Sequence, residues 1–180
     1  EAVARWALGH ATELGADPSR VVVAGESAGG NLSAAVALRL RDAGDVEVGL
    51  AGQGLLYPGL AGGTAFPSCD QFEGLILNRK GREAFWQAYA GGRDLGSDPY
   101  AVPLSAPDLS GLPPALVVLG GCDVLRDEGR AYAARLRDAG VDTDEVCYPG
   151  QPHGFLNFGF PAAGQAHEHI GRWIRARFAT

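Results

Sequence analysis

Apolar residues follow two alternating patterns along the chain. Short apolar runs, such as Val21 to Ala24 and Ala115 to Leu119, alternate with stretches in which apolar positions recur about every 3.6 residues. The runs predict buried strands, and the periodic stretches predict helices with one face on a sheet. Strands are predicted at residues 21–24, 48–57, 115–119 and 143–148, and helices at residues 1–14, 28–43, 81–90, 127–139 and 162–178. This order predicts an α/β fold: a mostly parallel sheet of about four strands flanked by helices.

Two of the predicted strands differ in their charge. The run 21–24 is uninterruptedly apolar, which predicts neighbours on both of its edges and helices on both faces. The segment 143–148 carries Asp144 and Glu145, and such charges favour an edge position, where they discourage pairing with another chain. Because only four strands are predicted, we expect one neighbour of the strand 21–24 to lie outside these residues.

The length of 180 residues predicts a single α/β domain over residues 1–180. Residues 58–112 are rich in Gly, Pro, Ser and Asp and contain one predicted helix. We interpret them as an irregular excursion between two strands, the kind of segment that often carries function.

Composition narrows the classes of partner. The net charge of -6 and the scattered arginines argue against a nucleic-acid partner, and no apolar run approaches the roughly 20 residues needed to span a bilayer. Cys69, Cys122 and Cys147 are odd in number and lack metal-ligand spacing, which favours free thiols. We therefore expect no metal and no cofactor. The thiols weakly favour a cytoplasmic location, which the sequence otherwise leaves open.

The string Gly25-Glu26-Ser27-Ala28-Gly29-Gly30 lies between a predicted strand and a predicted helix. In that context a G-x-S-x-G pattern predicts a sharp, strained turn that exposes the Ser27 hydroxyl as a nucleophile. The turn brings the positions of Gly25 and Gly29 into near contact, so only small residues are expected to fit there. Two alternatives are a Ser27 N-cap on a glycine-rich helix start and a phosphate loop, although a Walker-type loop needs a lysine that is absent here.

A serine nucleophile needs a base, and the chain has four histidines. His153 follows the last predicted strand in a loop at the carboxyl end of the sheet, where ligand chemistry gathers in α/β folds. We assign it as the base; the alternative is a solvated loop histidine. The other three lie on predicted helices: His10, His167 and His169.

Asp123 is the candidate acid, because it follows the strand 115–119 directly and so lies at the same end of the sheet. The alternative role for Asp123 is to cap a turn. Asp127 and Glu128 are interpreted as first-turn acids that stabilise a helix through its dipole. Three weaker candidates lie in the excursion: Asp94, Asp98 and Asp108.

Four strings, in this order, resemble the hormone-sensitive-lipase-like branch of the α/β-hydrolases, the bacterial esterases called the fold-3 family. They are GESAGGNL at residues 25–32, LPPAL at 112–116, DVLRDEG at 123–129 and HGF at 153–155. The resemblance implies a serine hydrolase that cleaves small-molecule carboxylic esters of short to medium acyl length through an acyl-enzyme. It carries over Ser27, Asp123 and His153 as the catalytic triad.

The chain departs from the family pattern in two places. Glu26 stands where the family usually has Asp, a change expected to matter little. The family's His-Gly-Gly-Gly string, which supplies oxyanion-hole donors, is absent. The NH of Ala28 can serve as one donor, and we expect the others upstream. The residues are therefore expected to be the carboxyl-terminal part of a truncated hydrolase fold, inactive alone.

Other readings stay open at this point. An amidase or peptidase would share the triad, and a binding protein of the same fold would have lost the catalytic histidine, which is present here as His153. A homo-oligomer is also compatible with the sequence. Two aromatic groups could line a substrate pocket or pack in the core: Phe155, Phe158 and Phe160, and Trp86 with Tyr89.

Overall fold

The computed structural model describes residues 1–44 and 49–179. Within them, four parallel strands form one sheet in the order β1-β2-β3-β4. The strands are β1 (Val22–Glu26), β2 (Gly52–Leu56), β3 (Ala115–Gly120) and β4 (Thr143–Tyr148). The predicted four-strand α/β layout is confirmed; residue 48, the start of one predicted strand, lies outside the described residues.

Six α-helices surround the sheet in the described part of the chain: α1 (Ala2–Gly9), α2 (Ala28–Asp42), α3 (Pro67–Gln71), α4 (Arg79–Ala90), α5 (Arg126–Asp138) and α6 (Pro161–Arg177). The prediction of a helix to residue 14 was wrong, since α1 ends at Gly9 and turns follow. Gly15 closes these turns with a φ of 74°, a left-handed conformation that ends helices. No helix in the described ranges is long and apolar enough to cross a bilayer.

The helices cover both faces of the sheet. Leu55, Val117 and Leu119 point to one face and pack with α2 and α5. Their strand neighbours Leu56 and Val118 point to the opposite face, where they pack with α6. Because successive side chains of a strand alternate between faces, the buried central strands β2 and β3 require a helix layer on each side.

β1 and β4 are the two outer strands of the sheet within the described residues. The predicted edge position of the strand 143–148 is confirmed, because β4 is the last strand of the sheet. Its Glu145 is paired with Arg137 at 2.9 Å. β1 pairs only with β2 within the described residues, so the expected second neighbour is not found there, and Ala24 is exposed.

The parallel sheet directs all four strand ends to one rim. β1 leads into Ser27, β3 into the turn that holds Asp123, and β4 into the loop that holds His153. Between β2 and β3 lie α3, which the sequence did not predict, and α4, which corresponds to the predicted helix 81–90. The fold therefore places the candidate residues at the carboxyl ends of neighbouring strands.

Candidate active site

Ser27 lies in a strained turn between β1 and α2. Its φ of 54° and ψ of -113° place a non-glycine residue at positive φ, which costs on the order of 1–3 kcal/mol. The backbone is held by a hydrogen bond from Ser27 N to the Leu56 carbonyl, at 2.9 Å, and by one from Gly59 N to the Ser27 carbonyl, at 3.3 Å. The surroundings therefore impose the conformation that exposes the hydroxyl.

The glycines of this turn differ in whether a side chain would fit at their positions. A Cβ on Gly25 would lie 2.4 Å from the carbonyl carbon of Gly29, and a Cβ on Gly30 would lie 2.7 Å from Pro58 Cβ. A Cβ on Gly29 would meet nothing within 4 Å. The predicted near contact of Gly25 and Gly29 is present, and it is unequal: Gly29 contributes its backbone to the contact, and Gly25 is the residue that cannot carry a Cβ.

This asymmetry predicts opposite outcomes for two alanine variants. Gly25→Ala is expected to lower the free energy of unfolding by about 1–3 kcal/mol or more, because backbone must move to admit the methyl group. Gly29→Ala is expected to leave stability unchanged or to raise it by up to about 1 kcal/mol, since the methyl group has room and alanine lowers the conformational entropy of the unfolded chain. Urea unfolding measures both values, and equal losses for the two variants would contradict the assignment.

The structure brings the three predicted side chains together. His153 Nδ1 lies 2.8 Å from Asp123 Oδ2, and His153 Nε2 lies 2.9 Å from Ser27 Oγ. Because an ionised carboxylate only accepts hydrogen bonds, Nδ1 donates to Asp123 and Nε2 is free to accept the Ser27 hydroxyl proton. Asp123 is fully buried, and His153 is 9% exposed.

Asp123 has a second partner that fixes its orientation. Its Oδ1 accepts a hydrogen bond from the backbone NH of Leu125 at 2.8 Å, which leaves Oδ2 for His153. One carboxylate oxygen thus closes the turn after β3 while the other faces the imidazole. Capping the turn and orienting a histidine, the two roles weighed for this residue, are both compatible with this geometry.

Backbone hydrogen bonds join the turn of Asp123 to the loop of His153. Gly121 N donates to the Tyr148 carbonyl at 2.8 Å, and Cys122 N donates to the Gln151 carbonyl at 2.9 Å. The approach is close: a Cβ on Gly120 would lie 2.6 Å from the Gln151 carbonyl oxygen. The consecutive glycines at the end of β3, Gly120 and Gly121, were the available sequence signal for this contact.

Asn31 is a further polar residue at the site that sequence reasoning missed. It is buried on α2, and its Nδ2 donates to the carbonyl oxygens of Gly59 and Ala101, at 2.8 and 2.9 Å. Both acceptors belong to segments between β2 and β3. Asn31 therefore ties these segments to the helix that begins at Ser27. An amide among the apolar positions of α2 was the available signal.

A cavity of about 400 Å³ opens beside Ser27. Ala28, the first residue of α2, also lines it, and a first helix residue has no intrahelical partner for its NH. That NH is the predicted oxyanion donor, and the donors expected upstream stay a prediction. The walls are mostly apolar and include Leu32, Leu77, Phe85, Trp86, Tyr89 and Leu125.

The two aromatic groups take different places. Trp86 and Tyr89 of α4 line the cavity, whereas Phe155 is fully buried and packs edge-on against Tyr57. Phe158 and Phe160 contact each other and are partly exposed. Core packing and surface contact, and not the cavity, account for the three phenylalanines.

Glu128 also borders the cavity, which corrects its interpretation as a helix-dipole residue. It belongs to the first turn of α5, but its side chain is buried and its Oε1 accepts from the backbone NH of Leu60 at 2.7 Å. The Arg82 guanidinium lies 3.6 Å from Oε2. Burial raises the pKa of Glu128 to about 7, against the hydrogen bond from Leu60 and the charge of Arg82, which both lower it.

The raised pKa predicts a pH-dependent stability. Between the unfolded pKa of 4.5 and the folded pKa of about 7, the folded protein keeps a proton that the unfolded chain releases. Stability from Glu128 is therefore full at low pH and is lost as the pH rises through 7, by about 3 kcal/mol in all. Glu128→Gln should remove this loss in urea unfolding at pH 5 and pH 8, whereas Glu168→Gln, an exposed control on α6, should not. If the parent protein had a higher free energy of unfolding at pH 8 than at pH 5, and Glu128→Gln did not, this prediction would be contradicted.

No group of three or more His, Cys, Asp or Glu side chains within residues 1–44 and 49–179 could hold a metal ion. Cys69, Cys122 and Cys147 are free thiols.

Comparison with known proteins gives consistent matches. The family described as alpha/beta hydrolase fold matches residues 1–157. Carboxylesterase NlhH of Mycobacterium tuberculosis is 41% identical over 181 residues, which cover 97% of this chain and 55% of that protein. Carboxylic ester hydrolase LipN of the same organism is 43% identical over 157 residues, covering 84% of this chain and 42% of LipN.

A solved structure agrees with the fold. A mutant of LAE6, an alpha/beta hydrolase enzyme from the metagenome of Lake Arreo, superposes with a TM-score of 0.92 at 38% identity. The match covers 99% of this chain and 56% of that chain. The chain therefore spans about half the length of the proteins that it matches.

Proposed function

The chain belongs to the hormone-sensitive-lipase-like branch of the α/β-hydrolase family, and on this premise we propose that its protein hydrolyses carboxylic esters through Ser27. The observation that carries the proposal is the hydrogen-bonded series from Ser27 through His153 to Asp123, beside an apolar cavity. Relatives named carboxylesterase and carboxylic ester hydrolase support the same reaction class.

The first half of the reaction forms an acyl-enzyme. Ser27 Oγ attacks the ester carbonyl carbon while His153 Nε2, 2.9 Å away, takes the hydroxyl proton. Asp123 keeps Nδ1 protonated and stabilises the imidazolium that forms. The imidazolium then gives its proton to the alkoxide that leaves, so the alcohol departs neutral and the acyl group stays on Ser27.

The second half returns the enzyme to its starting state. A water molecule attacks the acyl carbonyl as His153 takes its proton, and Ser27 leaves with that proton restored. In both halves negative charge develops on the carbonyl oxygen, and the NH of Ala28 is one donor for it. Losing a donor of this kind costs about 10²–10³ in kcat, so the remaining donors of the family pattern are required for full activity.

The cavity supports a substrate class. Its volume of about 400 Å³ and its apolar walls suit an ester with a short to medium acyl chain. Trp86 and Tyr89 would contact that chain or the alcohol group. We propose further that residues 1–180 act as part of one hydrolase domain, since the chain spans about half the length of its relatives.

Covalent labelling tests the nucleophile without a choice of substrate. The protein, expressed at the full length encoded in its source, is incubated with a fluorophosphonate and digested for peptide mapping. We expect the phosphonyl group on Ser27, with loss of fluoride, and no labelling in a His153→Ala variant. Modification of another serine, or equal labelling of the His153→Ala variant, would overturn the proposal. Comparing aryl esters with anilides then separates an esterase from an amidase.

A further inference from the structure

Glu26, the residue before Ser27, holds two segments that are distant in the chain. Its Oε2 accepts a hydrogen bond from the Tyr57 hydroxyl at 2.7 Å and another from Asn157 Nδ2 at 2.7 Å. Tyr57 directly follows β2, and Asn157 ends the short 3-10 helix Phe155–Asn157, four residues after His153. One carboxylate therefore joins the ends of β1 and β2 to the segment that carries the histidine.

Tyr57 lies against the imidazole of His153. Its ring is 1% exposed and meets the His153 ring edge-on, with 5.2 Å between centroids and an interplanar angle of 69°. The backbone of Tyr57 is at a φ of 37°, a conformation that a non-glycine residue adopts only when its surroundings enforce it. The ring is thus a fixed wall on one side of the imidazole.

The Tyr57 hydroxyl has a fixed hydrogen-bond partner. It donates to Glu26 Oε2, the oxygen that also accepts from Asn157 in the segment after His153. Burial, together with the hydrogen bond to Glu26, raises the pKa of Tyr57, so the phenol stays protonated and remains a donor. The orientation of the ring therefore depends on the Glu26 carboxylate.

We propose that Glu26 is a positioning residue for the esterase reaction, which acts through Tyr57 and Asn157 to keep the His153 imidazole aligned on Ser27. This inference rests on the proposed function, because alignment matters only if His153 is the base. Asp123 fixes the imidazole at Nδ1, and the Tyr57 ring restricts its tilt. Together they hold Nε2 toward the Ser27 hydroxyl.

The two hydrogen bonds of Glu26 depend on the length of its side chain. An aspartate would withdraw the carboxylate by about one bond, about 1.5 Å, which takes it out of hydrogen-bond reach of both donors unless the backbone moves. The expectation that Asp and Glu are equivalent at position 26 therefore does not fit these contacts. Glu26→Asp is expected to behave like the loss of the carboxylate.

Steady-state kinetics on an aryl ester tests the inference at full protein length. Glu26→Ala, Glu26→Asp and Tyr57→Phe are each expected to lower kcat about 10- to 100-fold with KM within about twofold, and to slow fluorophosphonate labelling by the same factor. The double variant Glu26→Ala with Tyr57→Phe should lose no more than the larger single loss, because both changes break one linkage. Asp144→Asn, which removes an acid that pairs with His169, is the control and should retain the parental kcat.

Three results would overturn the inference. These are parental labelling rates in the variants, losses that multiply in the double variant, and losses of kcat that follow the fall in the urea midpoint. If the proposed function itself is wrong, the parent protein is not labelled at Ser27. That result distinguishes failure of the proposed function from failure of this inference.

Discussion

Replacing Ser27 with alanine is expected to lower kcat/KM for an aryl ester by about 10⁴–10⁶, with little change in the fold. The variant has no oxygen to form the acyl-enzyme, and the residual rate comes only from binding and the oxyanion donors. The loss of stability should be small, because the hydrogen bond of Ser27 Oγ is to His153 Nε2 at the rim of the cavity.

Ser33→Ala is the matched control for this prediction. Ser33 lies on the same helix and is buried, and its hydroxyl donates to the Gly29 carbonyl at 2.8 Å, away from His153. The control is expected to keep its activity within a few fold, as measured by steady-state kinetics. A Ser27→Ala enzyme that remains active would end the assignment of Ser27 as the nucleophile.

Asp123→Asn is expected to lower kcat by about 10⁴ while it preserves the geometry. In the parent protein the Leu125 NH donates to Asp123 Oδ1, so the variant must keep its amide oxygen at that position. The amide NH₂ of the variant must then face His153 Nδ1, so Nδ1 becomes the acceptor and Nε2 carries the proton. An imidazole in that tautomer cannot take the proton of Ser27.

The pH-independent part of kcat and the labelling rate together measure this effect. Asp127→Asn provides the control, since Asp127 is in the next turn and accepts from the Ser68 NH at 2.9 Å instead of from His153. It should keep kcat within a few fold. An Asp123→Asn enzyme with parental kcat would show that another acid orients His153.

Much of the fold was predictable because its signals are local. An apolar run located β3 to within a residue, and a G-x-S-x-G pattern between a strand and a helix pointed to Ser27. Asp123 and His153 followed from one physical rule, that the ends of parallel strands share a rim. The structure brings these three residues together, as that rule required.

The parts that escaped prediction depend on contacts between distant residues. Glu26 and Asn157 are 131 positions apart, and no periodicity relates them. The first-turn position of Glu128 suggested a role at the helix end, because the pattern could not show that Leu60 NH would meet its carboxylate. The motif likewise predicts near contact of Gly25 and Gly29, but it does not indicate that only Gly25 lacks room for a Cβ.

The backbone bonds between the Asp123 turn and the His153 loop have a consequence for how such a protein can diverge. The backbone NH groups of Gly121 and Cys122 donate to the carbonyls of Tyr148 and Gln151. An insertion or deletion in either segment would therefore shift the carboxylate relative to the imidazole. The α4 side chains that line the cavity, such as Trp86 and Tyr89, take no part in these backbone hydrogen bonds. New substrate ranges should therefore arise by exchange of residues on that helix, while the two loops keep a constant number of residues.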